Sequence, residues 1–110
     1  MTWLTTLWNS VHLFPTFADL KARTRRQAMS LPRAEARARL AADPRLNHEA
    51  AVVFRDRLLA LVDAPWTPAT REQARDLVSQ ALAAQGFLAR PGTIEDVWMI
   101  EGYLDRLSVP

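Results

Sequence analysis

The 110-residue sequence contains no cysteine. That absence excludes disulfide frameworks, thiolate zinc sites, iron–sulfur clusters and a cysteine nucleophile. Three glycines are too few for a phosphate-cradling loop or for the turns of a β-sandwich. Long apolar runs are missing as well. The longest aliphatic stretch is Leu58-Leu59-Ala60-Leu61-Val62, whereas a membrane span needs about 20 apolar residues. No basic residue precedes the apolar start Met1-Thr2-Trp3-Leu4, so the sequence predicts no secretory signal and a cytoplasmic protein. Lysine is almost absent, with Lys21 alone among 14 basic residues.

What remains is 49% hydrophobic and 24% charged, the balance of one soluble globular domain. Seven prolines divide the chain, because proline is tolerated in the first turn of a helix and excluded from its interior. Three segments read as well-marked helices. In the first, near 44–63, Asp43 and Pro44 read as N-cap and first helical residue. Leu46, Ala50, Phe54, Leu58 and Leu61 supply the buried stripe, widened by Val53 and Val62. In the second, near 68–85, Thr67 and Pro68 occupy the same two roles. Ala74, Leu77, Val78, Ala81 and Leu82 form its apolar face, and Gly86 stands at the position of a left-handed C-cap. In the third, near 94–107, Thr93 and Asp96 have the spacing of an approximate capping box, and Ile94, Val97, Ile100, Leu104 and Leu107 make the buried face. Gly102 interrupts it at a cost of up to about 1 kcal/mol relative to alanine, tolerable where it permits close packing.

Weaker helices are expected near 3–13, 16–29 and 33–42. The last holds Leu40 as its one large apolar residue, which leaves little surface to anchor it. The fold class predicted is therefore all-α: a small bundle in a single domain, with 43–110 as core and 1–42 as an arm or outer layer. Residues 81–90 superficially resemble the end of a recognition helix entering a wing strand. The segment that follows is periodic and acidic, however, and Arg71 and Arg75 stand beside Glu72 and Asp76, so the winged-helix reading is rejected.

Residues 1–18 carry no charged side chain, and Trp3, Leu4, Leu7, Trp8 and Val11 share one helical face, with Phe14 and Phe17 just beyond. Such a face packs on its own domain, pairs with a second chain through aromatic hot spots, or lies on a membrane surface. The lack of lysine and arginine on its polar side disfavours the membrane.

Chemical constellations are scarce. His48 and Glu49 lack the second histidine of a zincin helix, since Ala51 and Val52 follow. The carboxylate pairs Glu95/Asp96 and Glu101/Asp105 lie in a helix that starts acidic, where the helix dipole accounts for the first pair. No serine is flanked by glycine as in a nucleophile elbow. The sequence thus points to no catalytic residue, no metal, no cofactor and no small-molecule substrate.

Charge is distributed unevenly. Residues 21–45 carry a net +6, from Lys21, Arg23, Arg25, Arg26, Arg33, Arg37, Arg39 and Arg45 against Glu35 and Asp43, while residues 46–110 carry −3. Arginine's planar fork suits phosphate. The same stretch can equally dock on the acidic body of its own chain or on an acidic partner, and it has no aromatic residue for base stacking. Two functions are carried forward. The first is a non-enzymatic helical interaction module that binds a protein partner or a second copy through Trp3, Leu4, Leu7, Trp8 and Val11. The alternative is a nucleic-acid-associated protein holding phosphates with Lys21, Arg23, Arg25, Arg26, Arg33, Arg37 and Arg39.

Overall fold

The computed structural model describes residues 16–86 and 93–110, and all regular structure among them is helical. Five helices follow one another: α1 (Phe17–Met29), α2 (Arg33–Ala42), α3 (Val52–Asp63), α4 (Thr70–Ala84) and α5 (Thr93–Leu107). The all-α class is as expected, but five helices stand where three were well marked. The expected helix near 3–13 lies outside the described residues.

Helix α1 begins at a capping box that links Thr16 and Asp19. The Asp19 amide donates to Thr16 Oγ1 at 3.2 Å, and the Thr16 amide donates to Asp19 Oδ2 at 3.2 Å. Helix α2 follows Pro32 directly. Although it brings few large side chains, Ala36 and Leu40 are both fully buried, and burying a leucine is worth roughly 1.5–3 kcal/mol.

The helix expected over 44–63 is shorter, starting only at Val52. Asp43 does cap a first turn, its Oδ1 accepting from the Arg45 amide at 2.9 Å. That turn then closes through Leu46 N–H to Asp43 C=O and Asn47 N–H to Pro44 C=O, bonds three residues apart instead of four. Polar side chains take the backbone groups that a longer helix would need. Asn47 Nδ2 donates to the Ala41 and Asp43 carbonyls at 2.8 Å each, closing the end of α2, and the Ala50 amide donates to His48 Nδ1 at 3.0 Å. Consequently Leu46 is buried but Ala50 and Val53 are exposed, which corrects the predicted stripe at those two positions.

The next helix is capped at Ala69 without a side-chain bond, so Thr67 and Pro68 do not take the N-cap and first helical places expected of them. Thr67 instead closes a tight turn ahead of the helix. Its amide donates to Thr70 Oγ1 at 2.8 Å, and the regular helix begins at Thr70. Ala74, Val78, Ala81 and Leu82 are buried as the periodicity requires, while Glu72, Arg75, Asp76, Ser79 and Gln80 are exposed. Gly86 adopts φ +64°, the left-handed conformation that stops a helix at little steric cost. In α5, Ile100, Leu104 and Leu107 are buried, but Ile94 at the outer end of the predicted face is exposed. The capping role expected of the Thr93 side chain lies outside the described residues.

Helix α5 is the element on which the others assemble: α1, α2 and α4 all pack against it, while α3 packs on α4. The closest seam joins α1 and α5 at Gly102, where an added Cβ would lie 2.7 Å from the Ala28 Cβ. No real pair of carbon atoms tolerates that separation, so glycine here lets the two backbones meet. Replacing Gly102 with alanine is expected to lower stability by about 1–3 kcal/mol through overpacking, despite alanine's better helix propensity. In an Ala28→Gly background the same replacement is expected to become neutral or stabilising. Urea-unfolding midpoints of the four proteins in this cycle give the answer, and a Gly102→Ala single variant as stable as wild type contradicts the close seam.

Candidate functional site at the α1, α4 and α5 junction

Beside the Gly102 seam, α5 presents Trp98, Glu101, Gly102 and Asp105 on one face, the spacing of successive helical turns. Asp105 is buried to 6% exposure and receives a guanidinium from each neighbouring helix. Arg25 Nε of α1 donates to Oδ2 at 3.0 Å, and Arg71 Nη2 of α4 approaches Oδ1 at 2.7 Å. One buried carboxylate thereby ties three helices. Lys21 and Arg75 stand one turn away from Arg25 and Arg71 on the same helices, and complete a cleft of about 140 Å³. Arg75 reaches Glu101 at 3.4 Å and Glu72 at 3.7 Å. At the outer edge Phe17 meets Trp98 edge-on, with ring centroids 6.3 Å apart, a geometry favoured by the ring quadrupoles.

The remaining basic residues of 21–45 are spread over several sites. Arg37 grips Asp63 of α3 with two parallel bonds, Nε to Oδ1 at 3.1 Å and Nη2 to Oδ2 at 2.7 Å. These hydrogen bonds hold the Asp63 carboxyl below its ordinary value and raise the Arg37 guanidinium, against a small opposing cost of burial in both. Arg39 pairs with Glu35 one turn earlier, and that bond likewise raises its guanidinium. Arg45 bridges Asp43 and Asp96, the latter at 2.8 Å. Arg33 Nη2 donates to the Leu107 carbonyl at 3.2 Å, and Arg106 Nε returns the favour to the Leu31 carbonyl at 2.7 Å. Lys21, Arg23 and Arg26 are exposed and make no ion pair among the described residues.

The predicted partner face, Trp3, Leu4, Leu7, Trp8 and Val11, lies outside the described residues. Among the described residues no three His, Asp or Glu side chains gather as a metal site, and no helix is long and apolar enough to cross a membrane. The junction at Asp105 was not singled out from sequence. Its signal was a basic pair four residues apart on each of two helices, Lys21/Arg25 and Arg71/Arg75, facing Glu101/Asp105 on a third.

Asparagine at Asp105 preserves shape but removes the charge that both guanidinium groups share. Stability is expected to fall by about 1–3 kcal/mol, the cost of losing charge-assisted bonds at a buried acceptor. Arg25→Gln and Arg71→Gln should each cost less, because both arginines are about half exposed and the other remains on the carboxylate. Equal unfolding midpoints for Asp105→Asn and wild type contradict this node.

The Arg37–Asp63 pair makes a prediction with a defined sign. Because the folded carboxyl titrates below its unfolded value of about 3.9, its contribution is present above that pH and lost as pH falls through the lower folded value. Asp63→Asn is therefore expected to destabilise by no more than about 1 kcal/mol at pH 7. The gap from wild type should close as the pH is lowered through and below the ordinary carboxylate range, read from urea midpoints across pH.

Compared with protein-family models, curated proteins and solved structures, the chain matches none.

Proposed function

We propose that the chain is a non-enzymatic helical interaction module, an accessory subunit or adaptor, that binds a protein partner or a second copy through its uncharged aromatic face. The observation that carries this reading is how the basic stretch is used. Arg25, Arg37 and Arg45 are paired with Asp105, Asp63 and Asp96 of the body. Arg33 caps a carbonyl at the end of α5. Cations already held by the protein's own acids are poorly placed to bind an extended polyanion. Phe17, the last aromatic residue of the uncharged 1–18 sequence, is 72% exposed. Aromatic residues at this density, Trp3 and Trp8 above all, are the residue types that dominate interface energetics.

A second reading draws on Lys21, Arg23 and Arg26, which remain exposed and without ion pairs among the described residues. Three phosphate contacts on duplex DNA would give a salt slope of about −2.7, where all seven basic residues of the alternative site would give about −6. Size-exclusion chromatography with light scattering, with and without a short duplex at two salt concentrations, separates the two functions. The interaction module is expected to run as a dimer or larger, and Trp3→Ala with Trp8→Ala to yield folded monomers. Wild-type monomers at high concentration end the self-association version. An unfolded double variant assigns the tryptophans to the protein's own core. Duplex binding with a slope near −3 favours the nucleic-acid reading.

A further inference from the structure

We propose that the cleft between α1, α4 and α5 is a binding site for the phosphate group of a small molecule. Four cations line it, Lys21 and Arg25 from α1 and Arg71 and Arg75 from α4, against two carboxylates, Glu101 and Asp105. The lining groups alone sum to +2, and Glu72, which reaches Arg75 from outside the cleft, lowers the local balance to +1, which still suits a phosphate anion. Asp105 acts as a positioning group. Each of its oxygens already accepts from an arginine, Oδ2 from Arg25 Nε and Oδ1 from Arg71 Nη2, so its charge is committed while most N–H donors of both guanidinium groups are left over. Arginine carries five such donors in a fixed fork. Holding two forks on one buried carboxylate removes much of their conformational freedom before any ligand arrives, which lowers the cost of binding.

Lys21 supplies the fourth cation and makes no ion pair among the described residues. The cavity, about 140 Å³, has the scale of one small anion with its first waters and not of a polymer. Arg25, Arg71 and Arg75 are each paired with a carboxylate, yet with Lys21 they still bring four cations against fewer acids, and that residual positive charge is what a ligand would meet. A bound phosphate offsets that charge and accepts from several of them at once. This site is independent of the aromatic face proposed above, and neither depends on the other.

The test uses the full chain in a low-chloride buffer, with inorganic phosphate and glycerol 3-phosphate as probes and a 12-base-pair duplex as the polymer arm. Calorimetry measures affinity, and the Nε–H resonances of Arg25 and Arg71 report where the anion sits. Lys21→Gln and Arg71→Gln are expected to weaken phosphate about tenfold each. Arg23→Gln removes the same charge from α1 outside the cleft, and should change affinity less than twofold. Lys21→Gln carries the decisive weight, since an exposed lysine without an ion pair is dispensable for folding. Tighter binding of glycerol 3-phosphate than of inorganic phosphate, with the same dependence on Lys21, supports a phosphomonoester ligand. The proposal is overturned by no heat and no Nε–H shift at millimolar phosphate. Equal weakening by Arg23→Gln and Lys21→Gln also overturns it, as does binding of the duplex alone.

Discussion

The α1–α5 seam is the contact on which the rest of the structure depends. Gly102 and Ala28 let the two helices approach more closely than any larger pair allows, and the close approach brings Arg25 within reach of Asp105 one turn along. From that point α4 is added through Arg71 on the same carboxylate. Packing and charge reinforce each other here. Dispersion and burial set the separation of the backbones, and the carboxylate fixes the register along the helix axes. A buried charge is expensive unless paired on both oxygens, so sliding either helix by a turn would expose an uncompensated Asp105.

Arginine is the recurrent fastener of this domain, and its chemistry suits the task. Arg37 binds Asp63 through two parallel bonds, Arg33 reaches the Leu107 carbonyl, and Arg106 reaches the Leu31 carbonyl. The last two form a reciprocal exchange at one end of the bundle, Arg33 meeting the last carbonyl of α5 and Arg106 a carbonyl of the α1–α2 connection. Lysine, with a compact and strongly hydrated head, could not make the bidentate contact. The shortage of lysine in the sequence is therefore accompanied by arginines that hold helix ends and cross-links. Exposed pairs of this kind each contribute little, and their combined effect is to place α1 and α2 against α5.

The same arrangement ties structure to the functional argument. A sequence divided into a +6 segment and a −3 segment folds so that the first segment lies on the second, with Arg25, Arg37 and Arg45 meeting Asp105, Asp63 and Asp96. Surplus positive charge is left at the Asp105 cleft, which includes Lys21, and at Arg23 and Arg26. These leftovers, the charge that folding does not consume and the uncharged aromatic sequence of residues 1–18, are where the two proposals start.

The sequence by itself determined the helical class, the helix-terminating Gly86 and the buried faces of α4 and α5. Those features follow from three- and four-residue periodicity and from residue chemistry that acts within one or two turns. Its local rules fell short at 44–51, where Asp43, Asn47 and His48 bind backbone groups and end the first turn before a long helix can form. They also passed over the Thr16/Asp19 capping box and understated α2, whose Leu40 is fully buried despite its isolation. Only the tertiary structure decided the Asp105 junction. Arg25 and Asp105 are 80 residues apart, and no periodicity links side chains on helices whose relative placement is set by a two-carbon contact at Ala28 and Gly102.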